Sequence, residues 1–355
     1  MLSPSQFQEL VSGKQSGPAA AVLRGLLRVA ETPYSLAVRW RNRRYDRGAA
    51  ESIAVDAPVV SVGNLTMGGT GKTPMVQWIA RWFRQRDVRV TLVSRGYGAE
   101  AGAANDEALE LEKRLPDVPH LQNPDRVQAA RTAIEELDAQ VILLDDGFQH
   151  RRLRRDLDIV LLDAFEPFGY GHVFPRGMLR EPPRGLSRAH VVVLSRADML
   201  DKAARAAVRK QVEHYAPQAI WSEAAHAPES LVAGGGETSP LAALQGQSVA
   251  AFCGIGNPAG FRHTLDAIGY DVVAMREFPD HHAYQRADVQ SLAAWAREHG
   301  AAALVCTEKD LVKLAADEIE GVPLWAVRIG MQILAGENEL EEVLGKLLLK
   351  IDRDA

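Results

Sequence analysis

A glycine-rich stretch that ends in a lysine and a threonine is the strongest chemical signal in this sequence. From Val59 to Thr73 it reads VVSVGNLTMGGTGKT. An apolar run, a glycine loop and a following helix are typical of a phosphate-binding loop, in which backbone N–H groups surround phosphate oxygens. Lys72 would add a positive charge and Thr73 a hydroxyl ligand for Mg²⁺. The residues that we expect to line this nucleoside triphosphate site are Thr66, Met67, Gly68, Gly69, Thr70, Gly71, Lys72 and Thr73.

The details of the loop narrow the class of protein. Partitioning-type ATPases have an additional lysine just before the paired glycines, where this chain has Met67. Guanine-specific proteins would show Asn-Lys-x-Asp after a later strand, and this chain has Ser195-Arg-Ala-Asp198. The sequence therefore favours ATP over GTP and argues against a partitioning ATPase.

Acidic side chains follow a later apolar run, Val141 to Leu144. Asp145 and Asp146 come directly after it, and His150 lies four residues further on. Ligands of parallel α/β sheets bind where the strands end, so one aspartate could hold Mg²⁺ and the other could contact a substrate. A pair of aspartates that caps a turn has the same pattern, but the preceding phosphate loop favours the functional reading.

Phosphoryl transfer to an alcohol also needs a proton acceptor. Asp106 and Glu107, in the loop after Ser94-Arg-Gly-Tyr-Gly98, are candidates, although acidic residues that cap the start of a helix would give the same sequence pattern. A second candidate group is Phe278-Pro-Asp-His-His282, where an imidazole could orient such a carboxylate.

Arginines could stabilise the charge on the transferred group. Arg180, beside Glu181, is the main candidate, and Arg126 at the start of a predicted helix is a weaker one. Thr307-Glu-Lys-Asp310 could belong to the site or could simply begin a capped helix.

These residues require a scaffold of alternating strands and helices. Short apolar runs separated by helical stretches predict an α/β fold, with a P-loop NTPase-type parallel sheet flanked by helices over residues 51–225. The predicted strands are Val59 to Val62, Val88 to Ser94, Val141 to Leu144, Ile159 to Leu162 and Val191 to Leu194. The predicted helices are Pro74 to Arg86, Asp125 to Leu137 and Lys202 to Tyr215.

The remainder of the chain predicts a second, smaller α/β domain over residues 247–355. A stretch rich in Ala, Pro, Gly and Ser, residues 226–246, is the predicted linker. We expect strands at Val249 to Phe252, Asp271 to Met275, Ala303 to Cys306 and Leu324 to Val327. We expect helices at Pro258 to Ile268, Ala287 to His299 and Glu337 to Lys350.

The N-terminal segment, residues 1–50, is basic and amphipathic. Between Pro18 and Ala50 it carries seven arginines and two acidic residues, whereas the whole chain has a net charge of −5. Two short helices separated at Thr32-Pro33 are predicted, without a span long enough to cross a membrane. They could lie on an anionic membrane surface, or they could pack on their own domain and expose a basic face.

Composition excludes several classes. With 46% hydrophobic and 25% charged residues the chain is a globular protein, and its acidic balance gives no case for binding nucleic acid. Cys253 and Cys306 form neither a disulfide framework nor a zinc pattern, which indicates a reducing compartment. No feature predicts an obligate protein partner.

Six motifs, in this order, resemble the tetraacyldisaccharide 4′-kinase family, the lipid A 4′-kinases of Gram-negative envelope synthesis. They span most of the chain, and only their combination is specific. They are Val62-Gly-Asn-Leu-Thr-Met-Gly-Gly-Thr-Gly-Lys-Thr-Pro74, Ser94-Arg-Gly-Tyr-Gly98, Asp145-Asp-Gly-Phe-Gln-His150, Leu179-Arg-Glu-Pro182, Phe278-Pro-Asp-His-His282 and Thr307-Glu-Lys-Asp310.

The resemblance implies that ATP, with Mg²⁺, phosphorylates the 4′-hydroxyl of a tetraacyldisaccharide 1-phosphate. It implies a peripheral, monotopic protein on the cytoplasmic face of the bacterial inner membrane, anchored by residues 1–50. It also implies an active-site cleft that the smaller domain closes.

Residue roles follow from the same resemblance. Asp106 would be the general base and His281 its partner, with the choice between His281 and His282 open. The family usually reads Gly-Asp-Glu-Pro where this chain has Asn105-Asp-Glu-Ala108, which keeps both carboxylates. The resemblance also implies that Lys72 and Thr73 contact phosphate and Mg²⁺ and that Asp145, Asp146, His150 and Arg180 complete the site. Together with the candidates named above, we expect Lys72 and Arg180 to act in catalysis, Thr73, Asp145 and Glu181 to hold the metal, and Asp146, His150, Arg126 and Glu107 to bind the substrate.

Two alternatives keep the phosphate loop. A soluble switch or metal-delivery ATPase would use it for conformational change, but it needs neither a basic amphipathic segment nor a base and an imidazole from two domains. A metal carrier should also show Cys and His clusters, which this sequence lacks. A soluble small-molecule kinase would keep the chemistry without binding a membrane.

Overall fold

The computed structural model describes residues 4–96, 111–280 and 282–354, which divide into two compact units. The first unit contains residues 4–96, 117–225 and 332–354, and the second contains residues 111–116 and 226–331.

The strands are numbered in chain order. They are β1 Val59–Asn64, β2 Val90–Ser94, β3 His120–Gln122, β4 Val141–Asp145, β5 Leu157–Asp163, β6 Val191–Ser195, β7 Ile220–Val232, β8 Thr238–Ser239, β9 Ser248–Cys253, β10 Asp271–Glu277, β11 Ala303–Thr307, β12 Glu318–Ile319 and β13 Val322–Ala335.

The α-helices are numbered in the same way. They are α1 Pro4–Ser12, α2 Pro18–Asp46, α3 Lys72–Arg84, α4 Arg126–Leu137, α5 Lys202–Tyr215, α6 Pro258–Ile268, α7 Arg286–Glu298, α8 Glu308–Leu314 and α9 Glu337–Asp354. Short 3-10 turns lie at Gly169–Gly171, Pro183–Arg188, Ala197–Met199 and Leu241–Leu244.

The first unit is built on a parallel sheet with the order β7-β6-β5-β1-β4-β2-β3. Its inner strands are buried along their whole length, which explains why they read as continuous apolar runs. The predicted α/β fold, with a mostly parallel sheet flanked by helices, is confirmed. The order places the end of β1 between the ends of β4 and β5.

The second unit has its own parallel strands in the order β10-β9-β11-β13. Residues 226–246, predicted as a linker, contain the end of β7, β8 and a 3-10 turn. β8 pairs antiparallel with β7, and β12 pairs antiparallel with β13. The closing helix α9, which was predicted as part of the smaller domain, belongs to the first unit.

The N-terminal segment forms one long helix after the short α1, so the prediction of two helices separated at Pro33 is wrong. α2 runs for 29 residues with Pro33 inside it. A proline in a helix removes one backbone N–H and crowds the preceding turn. Here its ring lies on the exposed side, and the helix is fixed by packing and hydrogen bonds on its other side.

Candidate active site

The phosphate loop connects β1 to α3 and contains two glycines with positive φ. Gly68 has φ +112° and Gly71 has φ +85°, values that L side chains rarely adopt but glycine adopts readily. A Cβ added at Gly69 would meet no atom within 4 Å. The loop can therefore approach a ligand with its main chain, and α3 begins at Lys72 directly after it.

Hydrogen bonds from two distant segments fix the loop in place. The Met67 N–H donates to the Met178 carbonyl at 2.7 Å, and the Arg180 N–H donates to the Leu65 carbonyl at 2.7 Å. Arg196, paired with Asp163, donates from Nη2 to the Gly69 carbonyl at 3.1 Å. These bonds hold the loop in shape before any ligand is present, which reduces the entropy lost on binding.

A cluster of charges lies at the end of β4. Asp146 accepts two hydrogen bonds from Arg180 Nη1, at 2.9 and 2.7 Å, and its Oδ1 lies 3.6 Å from Lys72 Nζ. Burial raises the pKa of Asp146, but the charges of Lys72 and Arg180 outweigh burial and lower it. Asp146 is therefore ionised at neutral pH, and both cations are positioned at the start of α3.

Asp145 is the candidate metal ligand on the same strand. It is 8% exposed, and the parallel pairing places it beside Val62, just before the phosphate loop. Within the described ranges, no cluster of three or more His, Cys, Asp or Glu residues could hold a metal by itself. Oxygen donors from Thr73 and Asp145 fit Mg²⁺, which commonly takes few protein ligands besides phosphate and water.

The buried Arg126 and the partly buried His150 form a pair beside the acidic residues. Arg126 Nη1 lies 3.5 Å from His150 Nδ1. Burial, followed by the charge of Arg126, lowers the pKa of His150 to about 4. Burial also lowers the pKa of Arg126, an effect that Asp146 and Asp145 oppose. The imidazole is thus neutral at physiological pH and suited to hydrogen bonding with a substrate hydroxyl.

Glu181 lies in the interior of the protein rather than at its surface. It is fully buried and accepts hydrogen bonds from Asn42 Nδ2 at 2.8 Å, Gln149 Nε2 at 3.0 Å and Arg188 Nη2 at 2.8 and 2.9 Å. Both of its oxygens are thereby occupied. Its role as a metal ligand stays a prediction.

The other predicted catalytic residues, Asp106, Glu107 and His281, lie outside the described residues. The neighbouring His282 is described: its Nε2 lies 3.0 Å from Asp288 Oδ2, and its ring stacks on Phe278 with centroids 4.8 Å apart.

Sequence reasoning did not find several supporting residues. It missed Asn42 and Gln149 around Glu181, and it considered Arg196 only for base specificity. The position of Arg196 after the end of a buried strand was a usable signal, because parallel strands end at the ligand-binding edge. An asparagine within an amphipathic helix gave no such signal.

A parallel α/β sheet with a glycine phosphate loop after an inner strand, and a lysine, an aspartate and an arginine gathered beside it, defines a P-loop phosphotransferase. Residues 23–349 match the profile of the family described as LpxK, tetraacyldisaccharide-1-P 4′-kinase. The chain belongs to this family and is a lipid kinase.

Similar proteins and a solved structure agree with this assignment. The tetraacyldisaccharide 4′-kinase of Anaeromyxobacter dehalogenans (strain 2CP-C) is 42% identical, and the match covers 93% of this chain and 92% of that protein. The Geobacter sulfurreducens protein of the same name is 38% identical, and the match covers 96% of this chain and 98% of that protein. LpxK from Aquifex aeolicus, solved in complex with ATP, superposes with a TM-score of 0.73 at 28% identity, covering 92% of this chain and 99% of that one.

Proposed function

We propose that this protein transfers the γ-phosphate of ATP to the 4′-hydroxyl of a tetraacyldisaccharide 1-phosphate, a step of lipid A biosynthesis. The family membership supports the substrate. The observation that most directly supports the chemistry is the cluster of Lys72, Asp146 and Arg180 beside the phosphate loop. The alternative of a switch or metal-delivery ATPase is not favoured.

The residues of the loop bind and neutralise the triphosphate. Backbone N–H groups of residues 68–73 donate to phosphate oxygens, and Lys72 and Arg180 provide the positive charge that stabilises the transferred phosphoryl group. Asp146 holds both cations in place until phosphate oxygens compete for them. Thr73 and Asp145 would hold Mg²⁺, which supplies charge neutralisation when bound.

Proton transfer is assigned to Asp106 and His281, which lie outside the described residues, so these two roles are taken from the motifs. Asp106 accepts the proton of the 4′-hydroxyl, and His281 orients that carboxylate. The contacts of His282 support this choice between the two histidines, because its ring is already held by Phe278 and Asp288. Arg126, His150 and Glu107 contact the sugar acceptor.

The protein acts as a peripheral protein at the cytoplasmic face of the inner membrane, with α2 as its contact. Large apolar side chains recur at helical spacing along an outward face of α2: Val22, Leu26, Val29, Leu36 and Trp40, which are 65%, 62%, 72%, 59% and 62% exposed. Exposed arginines flank this face, at positions 28, 39, 41, 43, 44 and 47. An apolar face bordered by cations fits an anionic lipid surface. No helix in the described part of the chain is long and apolar enough to span a bilayer.

The reaction is tested by following ³²P from γ-labelled ATP, with Mg²⁺, to a detergent-dispersed tetraacylated disaccharide 1-phosphate. We expect label in the lipid with the wild type. With Asp106→Asn we expect turnover at least about 100-fold lower and ATP affinity nearly unchanged, because proton acceptance is lost but the phosphate loop is intact. An equal loss of ATP affinity would count against Asp106 as the base.

The membrane contact is tested by sedimentation with vesicles. Val29→Asp with Trp40→Asp should release the protein from phosphatidylglycerol vesicles, because both side chains lie on the outward face. The control is a vesicle of phosphatidylcholine, to which we expect weaker binding of the wild type. Unchanged binding of the double variant to anionic vesicles would refute the role of α2.

A further inference from the structure

The inward face of α2 is tied to a segment of the active site. Glu31 Oε1 accepts from the Val173 N–H at 2.8 Å, and the Tyr34 hydroxyl donates to the Arg180 carbonyl at 3.2 Å. Helix α2 therefore contacts both ends of the stretch that leads to Arg180.

The bond from Asn42 is the most buried of these links. Asn42 Nδ2 donates to Oε2 of Glu181, a carboxylate with no exposed surface, at 2.8 Å. The other donors to this carboxylate are Gln149 and Arg188. A buried carboxylate is stable only while its oxygens keep their donors, so these three side chains determine where Glu181 lies.

The same stretch is bonded to the phosphate loop on its other side. Met178 and Arg180 exchange main-chain hydrogen bonds with Met67 and Leu65, both at 2.7 Å. Gln149 Nε2 donates two hydrogen bonds, both at 3.0 Å. One goes to Glu181 Oε1 and the other to the Asn64 carbonyl at the end of β1. Glu181 and the phosphate loop thus share one donor.

Arg180 is the point at which these contacts reach the chemistry. Its carbonyl accepts from Tyr34, its N–H donates to the phosphate loop, and its guanidinium pairs with Asp146. Because Glu181 is the next residue, a change in its position changes the main chain from which Arg180 projects. Misplacement of a catalytic group by about 1 Å can lower turnover by about 100-fold.

We propose that Asn42 is a positioning residue for phosphoryl transfer. Acting through Glu181, it keeps Arg180 and the phosphate loop aligned, so that α2 sets the geometry of the site as well as meeting the lipid surface. The inference rests on the proposed function for the role of Arg180 in phosphoryl transfer and for the contact of α2 with lipid.

The test compares Asn42→Asp with Thr32→Ala. Asn42→Asp keeps the side-chain size, removes the amide N–H and places a second carboxylate beside Glu181. Thr32→Ala is a control on the same helix. Among the described contacts, the hydroxyl of Thr32 donates only to the Arg28 carbonyl. We expect kcat of Asn42→Asp to fall about ten-fold and the KM for ATP to change less than about three-fold, because the loop N–H groups remain. Thr32→Ala should match the wild type.

A double-mutant cycle with Gln149→Ala separates positioning from loss of folding. Rates are expressed per folded enzyme, determined from thermal unfolding. If Asn42 acts through Glu181 and Gln149, the double variant should be no slower than the slower single variant. Additive losses, or a kcat of Asn42→Asp within two-fold of the wild type, would overturn the inference.

Failure of the proposed function gives a different result. If the wild type transfers no phosphate to the lipid, the proposed function is wrong, and the same cycle is then measured on ATP hydrolysis without lipid. Non-additive loss of hydrolysis would support the positioning role, and additive or absent loss would overturn it.

Discussion

Two aspartates that follow buried parallel strands have opposite surroundings. Asp146, after β4 in the first unit, is partly exposed and is held by Lys72 and Arg180. Asp310, after β11 in the second unit, is fully buried and accepts from the Gly254 N–H at 3.1 and 3.2 Å, the Tyr284 hydroxyl at 2.9 Å and the Thr307 hydroxyl at 2.6 Å.

The difference lies in the donors. Cations that hold a partly exposed carboxylate can be shared with an incoming phosphate, whereas neutral donors around a buried carboxylate hold segments of the fold together. Burial and then the charge of Asp310 raise the pKa of Tyr284, so its hydroxyl remains a donor. Similar positions in the sequence therefore give a carboxylate held by two cations in one unit and a carboxylate held by neutral donors in the other.

The largest effect should come from removing the lysine of the first cluster. In the proposed mechanism Lys72 stabilises the transferred phosphoryl group, so we expect Lys72→Ala to lower kcat by about 100- to 1000-fold. The unfolding midpoint should hardly change, because the ion pair of Lys72 with Asp146 among the described residues is weak, at 3.6 Å. Initial rates of ³²P transfer measure the effect, and a loss below ten-fold would contradict the assigned role.

In the second unit, removing the carboxylate of Asp310 should lower the stability of the fold rather than the activity. Asp310→Ala leaves the buried Gly254 N–H and the partly buried hydroxyls of Tyr284 and Thr307 without their acceptor. We expect the free energy of local unfolding to fall by about 3 kcal/mol or more. Amide hydrogen exchange of β9 and β11 measures it. The control, Asp310→Asn, keeps the shape and one acceptor oxygen and should lose less. A change below 1 kcal/mol for Asp310→Ala would show that Asp310 is not structural.

The matched substitution at Asp146 in the first unit should lower activity more than stability. Asp146→Asn keeps the side-chain size but no longer balances Lys72 and Arg180, so we expect turnover to fall by about 10- to 100-fold. Its effect on the free energy of unfolding should be below about 1 kcal/mol, because the carboxylate is partly exposed. Kinetics and urea unfolding of one preparation give both values, and a larger loss of stability than of activity would remove the contrast.

A smaller effect, on the pH dependence of stability, is expected from His120, whose imidazole is kept neutral by burial. Burial lowers the pKa of His120 to about 4, and its Nε2 lies 2.8 Å from Ser94 Oγ. In the unfolded chain the imidazole of His120 takes up a proton near pH 6.5, whereas in the folded chain it does so only near pH 4. The free energy of unfolding therefore falls as the pH drops between these values.

His120→Gln removes this proton uptake and should flatten the pH dependence of unfolding. Between pH 6.5 and 4 we expect the wild type to lose about 1 to 2 kcal/mol more than the variant. The difference at pH 8, where the imidazole is neutral in both states, gives the effect of the substitution itself. Parallel profiles from pH 8 to pH 4 would refute the assignment.

The sequence predicted those elements whose signals are local. α5 and α6 have the predicted bounds because Asp201 and Asn257 cap their first turns and Gly269, at φ +83°, ends α6. The inner strands followed from continuous apolar runs. The phosphate loop and Asp145-Asp146 were found because each group is contiguous in sequence.

Elements that depend on tertiary pairing were not predicted. β7 is rich in alanine, contains Pro228 and has weak alternation, and its pairing with β6 places it in the sheet. The helix break at Pro33 was predicted from an intrinsic preference that packing overrides. The donors around Glu181 come from positions 42, 149 and 188, so only the fold brings them together.

The central claim is transfer of phosphate to one sugar hydroxyl, and ³¹P NMR of the lipid product tests it most directly. After incubation of the wild type with ATP, Mg²⁺ and the tetraacyldisaccharide 1-phosphate, we expect a second phosphate monoester coupled to the proton at the 4′ carbon. New signals from ADP and inorganic phosphate alone, with no second phosphate on the lipid, from folded enzyme that hydrolyses ATP would contradict the assignment as a 4′-kinase.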